Sequence, residues 1–170
     1  MKKIIKRVFI VIAILLFITG FCFDNIKRNS VYYAKHTPHK EGTEPVLMMV
    51  VDNLEWIYTP EIDGIEYDFD GGNCVYNNNL SKDSTYFVEY GNGKEYRYYD
   101  GIRITYGFNS QFSLIYVDDD FNKKIPLNQF DINAVKHNIY TLLQPVIDAQ
   151  SKPRVNLQWL FDIVYKDKFN

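Results

Sequence analysis

The chain has 170 residues, of which 46% are hydrophobic and 16% aromatic, enough to bury one ordinary core and too many for a disordered segment. Its formal charge of −2 is unevenly spread: the first thirty residues hold six Lys and Arg and one acid, so of 19 bases and 21 acids the remainder keeps 13 and 20, a net of −7. Such a balance repels nucleic acid and anionic lipid heads from the body of the chain and attracts a basic protein or cations.

Lys2, Lys3, Lys6 and Arg7 lead into Val8 to Phe23, which carries no charge. As a helix those sixteen residues cover about 24 Å, slightly short of a ~30 Å hydrocarbon layer. The basic flank places the N-terminus in the cytoplasm and everything beyond Phe23 outside. Residues 19–24 read Thr-Gly-Phe-Cys-Phe-Asp, with bulky rings where signal cleavage needs small residues, and Phe21 before Cys22 opposes lipidation. An uncleaved anchor over residues 1–30 is therefore favoured over a cleaved leader or a lipoprotein. This makes the chain a single-pass protein of the cell membrane with an extracellular C-terminal domain.

Asp24 to Thr43 is polar and contains Pro38 and Gly42. It reads as a tether or an early helix lifting the domain off the membrane. The domain boundaries follow as 1–30 anchor, 31–45 tether and 46–170 extracytoplasmic domain. Val46 to Val51 and Leu54 to Tyr58 are short apolar runs, and Asp52-Asn53 between them looks like a tight turn. Ile65 to Asp70 alternates apolar with acidic residues, the period of a half-buried strand with one carboxylate-lined face, and Gly71-Gly72 ends it.

Hairpin signals fill the middle. Thr85 to Tyr90 is a strand and Gly91-Asn92-Gly93 a turn. Glu95 to Tyr99 and Ile102 to Phe108 flank Asp100-Gly101, which suits a two-residue type I′ turn. Asn109-Ser110 turns again and Gln111 to Val117 returns. Strands joined this closely are antiparallel neighbours, so the expected sheet is a meander. Ile132, Val135, Ile139, Leu142, Leu143 and Val146 recur at three and four, one face of a helix, with Asp131 as N-cap and Pro145 as a kink or end. Residues 155–165 fit a helix or a strand, the helix being preferred. The fold expected is α+β: an antiparallel meander with one or two C-terminal helices, preceded by one transmembrane helix.

Cys74 is the only thiol beyond the anchor, which makes a disulfide scaffold untenable and a small packing group its natural role. Asn79-Leu80-Ser81 matches a glycosylation acceptor, relevant only in a eukaryotic secretory pathway. His36 and His39 lack further ligands for zinc. Glu66-x-Asp68-x-Asp70-Gly71 echoes a calcium loop, but Glu66 replaces the first Asp, Asn77 stands at the bidentate position and no helices flank it. Asp118-Asp119-Asp120 reads as a hairpin turn. No nucleophile elbow, zinc-protease helix or phosphate loop is present, so no enzyme activity and no cofactor is expected.

Residues 41–70 contain nine acids and no base. The candidate partner-binding residues are Glu61, Asp63, Glu66, Tyr67, Asp68 and Asp70 from this block, with Asp118 and Asp119. Tyrosines supply interface anchors, and carboxylates steer a basic partner.

The N-terminal anchor, the acidic meander and the closing segment Asn156-Leu157-Gln158-Trp159-Leu160-Phe161-Asp162 together resemble the TipC-type immunity proteins of streptococci. Tyr32-Tyr33 is similar to an aromatic pair near that family's N-terminus. The resemblance implies an immunity protein at the outer face of the membrane. Its partner would be a cognate secreted LXG toxin of the type VII system, TelC-like and directed at lipid II, bound without any catalytic residue. The alternative is a membrane-anchored envelope protein with a ligand-binding concave sheet.

Overall fold

The computed structural model describes residues 2–70, 72–78, 85–101, 104–119, 121 and 123–170. The Asn79-Leu80-Ser81 acceptor, Gly71, Ile102 and Asp120 fall outside them. The fold is α+β. An apolar helix, α1 (Lys2–Arg28), is followed by α2 (Ser30–Ala34) and α3 (Pro45–Asp52). Six strands come next: β1 (Ile65–Asp68), β2 (Cys74–Asn77), β3 (Thr85–Tyr90), β4 (Glu95–Asp100), β5 (Ile104–Asn109) and β6 (Leu114–Asp119). A 3₁₀ turn (Leu127–Gln129), α4 (Ile132–Asp148) and α5 (Gln158–Phe169) close the chain. The strands form one antiparallel sheet in the order β1-β2-β3-β4-β5-β6, a pure meander.

Register explains the core. Tyr67, Val75, Phe87, Tyr98, Tyr106 and Val117 are successive cross-strand partners from one edge to the other. Because side chains alternate along a strand, this row shares one face, and all but half-buried Tyr67 are buried. Helices α3 and α4 pack on the sheet at β2 and β3. Ile139, Leu143 and Val146 of α4 and Phe161 and Phe169 of α5 are fully buried in the same cluster. Asp131 caps α4, its Oδ1 accepting from the N–H groups of Asn133 at 2.9 Å and Ala134 at 3.4 Å.

Several expectations change. The short apolar run 46–51 is helix α3, which extends through Asp52, the first residue of the expected tight turn, and its residues Leu47 to Val51 are all wholly buried. An apolar run without periodicity is compatible with either element, and Pro45 at the first helical position was the available sign of a helix. Residues 31–45 are not a tether. Val31, Tyr33 and Ala34 are buried, the core begins at Ile26 inside α1, and only Asn29 separates α1 from α2. Pro145 does not end α4, which continues to Asp148. Strand β2 was not anticipated. The pairing Asp100↔Ile104 places Asp100 in β4 rather than in a two-residue turn with Gly101. The segment after 157 is helical.

Candidate functional site

The face of the sheet opposite the helices is built from two more cross-strand rows. One runs Glu66, Tyr76, Tyr86, Tyr99, Thr105 and Asp118, and the other Asp68, Cys74, Val88, Arg97, Gly107 and Tyr116. Tyrosines thus occupy the middle of this face, and carboxylates occupy an edge. Tyr86 and Tyr99 stack with ring centroids 4.0 Å apart. The guanidinium of Arg97 lies 4.6 Å from the Tyr90 ring centre and its Nε donates to Glu95 at 2.6 Å. The Tyr116 hydroxyl donates to the same Glu95 oxygen at 2.7 Å, and its ring lies across Gly107 so closely that a Cβ there would sit 2.2 Å from ring carbons. These contacts fix the rings on the face opposite α3 and α4, so their rotamers are set before any partner arrives.

Electrostatics follow from the same pairs. The Arg97 guanidinium beside Glu95 lowers that carboxyl below the usual range. The Glu66 carboxylate accepts from the Tyr76 hydroxyl at 2.6 Å and from the side-chain amide of Asn78, and pushes Tyr76 up to about 12. Burial, then neighbouring Asp68, pushes the Cys74 thiol to about 12 as well. Cys74 is half-buried rather than wholly buried, and it is protonated at neutral pH.

The structure brings most of the expected partner-binding residues together. Glu61, Asp63, Glu66, Asp68 and Asp70 are exposed along β1 and its two flanking loops, with half-buried Tyr67 among them. Tyr67 points to the core face and its hydroxyl donates to the Pro60 carbonyl at 2.9 Å, so it is a packing residue. Asp118 and Asp119 do not join this group. They lie at the end of β6, the opposite edge strand, about 24 Å away across five strand spacings. Asp119 organises the following turn, its Oδ1 accepting from the N–H groups of Phe121 and Lys123 at 2.9 and 2.8 Å.

A second polar constellation was not read from the sequence. Asp52 at the end of α3 accepts from Lys168 Nζ at 2.7 Å and from the Tyr96 hydroxyl at 3.0 and 3.2 Å. Buried Glu89 accepts from the Gly93 N–H across the β3–β4 turn. Gly93, at φ +76, leaves room for the Lys168 ammonium, which a Cβ there would approach to 2.3 Å. Burial raises both the Asp52 and Glu89 carboxyls, with Lys168 working against the rise. A cleft of about 440 Å³ opens beside them, lined also by Lys27, Trp56 and Asn73. Two lysines, Lys27 and Lys168, face three carboxyls, Asp52, Glu55 and Glu89, and the Asp52–Lys168 pair gives the cleft the character of a structural ion-pair network. The sequence carried no signal for it, because Asp52 and Lys168 are 116 positions apart.

His36 and His39 each place Nδ1 2.9 Å from a backbone carbonyl, of Tyr32 and Thr37. Among the described residues no group of three or more His, Cys, Asp or Glu is placed to hold a metal. Helix α1 is long and apolar enough to cross a membrane. No protein-family model matches the chain, nor does any curated protein or any solved structure.

Proposed function

We propose that this protein is a membrane-anchored immunity protein that binds and blocks a secreted antibacterial protein toxin at the outer face of the cytoplasmic membrane. The observation that carries the reading is the sheet face paved with half-buried tyrosines and edged by five exposed carboxylates. Rigid aromatic rings give large contact area at low entropic cost, and the acidic edge accelerates encounter with a basic partner. The resemblance in the closing Asn-Leu-Gln-Trp-Leu segment supplies the toxin class, an LXG protein acting on lipid II. Neutralisation needs no chemistry from this chain, only location, rigidity and a complementary surface.

The test is protection. Susceptible cells expressing the full chain are exposed to a purified lipid II-degrading LXG toxin whose gene neighbours this one. Growth, and recovery of the toxin with the chain from detergent extracts, is the expected result. The Tyr86→Ser/Tyr99→Ser variant should remain in the membrane and lose protection. Full protection by that variant would move the interface off the sheet, and no protection by the wild type would overturn the reading.

A further inference from the structure

The last helix of the domain runs across the exit of α1 rather than along it. One turn of α1 makes the contacts. Asn25 Nδ2 donates to the Val155 carbonyl at 3.3 Å. Asn25 Oδ1 accepts at 2.7 Å from the Tyr33 hydroxyl, which itself accepts from the Leu157 N–H at 3.0 Å. Lys27 Nζ lies 6.0 Å from the centre of the Tyr165 ring. From 25 to 27 the rise along α1 is about 3 Å, whereas from 157 to 165 the rise along α5 is about 12 Å. Two helices joined this way cross steeply. If α1 stands across a bilayer, α5 lies close to its plane. The depth is set by Phe23, the last exposed apolar residue of α1, whose ring packs edge-on against Trp56 at 5.6 Å. The contacts to α5 begin two residues further on, about one helix radius above the hydrocarbon edge.

The faces of α5 match that position. Phe161 and Phe169 are buried, and Gln158 and Asp162 hydrogen-bond to Thr37. At 100° per residue, Trp159, Ile163 and Val164 lie on the outward half, 62%, 65% and 57% exposed, with Val155 46% exposed just before the helix. Charge agrees. The domain beyond the anchor is net acidic, yet residues 150–167 hold three bases, Lys152, Arg154 and Lys166, against Asp162 and Asp167, while Lys168 is held by Asp52. Tryptophan and aliphatic residues flanked by lysines are the composition of helices that lie in the headgroup region.

We propose that α5 is an interfacial helix, with Trp159, Ile163 and Val164 seated in the lipid headgroup boundary beside the anchor. This rests on the reading that α1 crosses the bilayer. It gives the domain a fixed stance on the membrane surface, with no hinge at Asn29, so that the sheet is presented in one orientation to partners arriving at lipid.

Only two tryptophans are present, so Trp56→Phe leaves Trp159 as the sole reporter. The full-length variant is reconstituted into phosphatidylcholine–phosphatidylglycerol vesicles containing lipid brominated near the headgroup end of the acyl chain. Trp159 emission should fall by about half and be shielded from aqueous iodide. Adding Ile163→Asn and Val164→Asn should reverse both effects while circular dichroism stays unchanged. Retention on the vesicles through an alkaline carbonate wash reports α1 independently. Protein that withstands the wash but shows an iodide-accessible, unquenched Trp159 overturns the interfacial helix alone. Protein that washes off overturns the anchor and the inference with it. A Trp159 shielded from iodide yet indifferent to brominated lipid assigns the surface to contact between copies of the chain and also overturns it.

Discussion

Glu44 and Asp52 belong to the same base-free stretch as Glu66 and Asp68, and their surroundings are opposite. Glu44 accepts from Lys136 Nζ at 2.9 Å and from the Tyr140 hydroxyl at 3.0 Å. Asp52 is held by Lys168 and Tyr96. Glu66 and Asp68 stand exposed on an edge strand. The difference comes from the elements. Helix α3 is buried along most of its length, and the helices that close the chain bring lysines to each of its ends. Strand β1 has one neighbour, and its alternation turns Glu66 and Asp68 away from the core. A count of acids in a window therefore overstates the field that a partner meets. The exposed charge is the second half of the block, Glu61, Asp63, Glu66, Asp68 and Asp70.

The largest test of that division is Lys168→Met. Removing the ammonium leaves Asp52, with only 9% of its side chain exposed, without its cation. Stranding one partner of a buried pair costs roughly 3–5 kcal/mol. The full chain in detergent should melt far below wild type, and Asp52→Asn added to Lys168→Met should recover part of the loss. A single variant that melts with wild type would mean that Asp52 is solvated in the same way as Glu66.

A smaller effect separates the buried carboxyls by pH. Burial raises Asp52 and Glu89. An acid whose folded pKa lies above its unfolded value, about 4 for these groups, binds its proton more tightly when folded. That contribution is complete at acid pH and is lost as pH climbs through the raised value. Glu95, lowered chiefly by Arg97, behaves oppositely: its contribution is present above the unfolded value and disappears as pH falls. Glu89→Gln keeps an acceptor for the Gly93 N–H and removes the titration. The stability of wild type minus that of Glu89→Gln should decline from about pH 4 towards neutrality. A difference that stays level or rises would show that Glu89 is not buried as its contacts indicate.

The legibility of the chain follows the same line. Strand β1 and helix α4 were readable because their periods, two and three to four, are unbroken from Ile65 to Asp70 and from Ile132 to Val146. The meander was readable because Gly91-Asn92-Gly93 and Asn109-Ser110 leave no length for a crossover. Helix α3 was legible only as an apolar run, because Val46 to Val51 is apolar on every side, which erases the period that would distinguish helix from strand. Residues 24–43 were legible only as a tether or an early helix, because Pro and Gly break their pattern; the early helix is α2, and Tyr33 within it ties α1 to Val155 through its hydroxyl. The acidic edge of the site was visible as local alternation. The tyrosine rows were not, because each row takes one residue from each strand and exists only once register is set. Asp118 was grouped with Glu66 by charge alone; the two share a row but stand at its opposite ends.

The smallest effect on stability, and the most direct on function, is expected from neutralising the exposed half of the block: Glu61→Gln, Asp63→Asn, Glu66→Gln, Asp68→Asn and Asp70→Asn together. Ile65, Tyr67 and Phe69 are untouched, the backbone pairing of β1 with β2 is unchanged, and Gln at 66 still accepts from the Tyr76 hydroxyl. Exposed charge substitutions of this kind shift stability by about 0.5 kcal/mol or less each, and relief of like-charge repulsion along one edge works in the stabilising direction. Association with a basic toxin should slow at low salt, with little change in dissociation, and its salt dependence should flatten because the removed charges are the ones that counter-ions screen. Stopped-flow binding across a salt series measures both. If association at low salt matches wild type, the edge carboxylates are solvated surface, and recognition rests on the Tyr86–Tyr99 stack in the middle of the face. If association slows and protection falls together while melting is unchanged, the acidic edge steers and the tyrosine face holds.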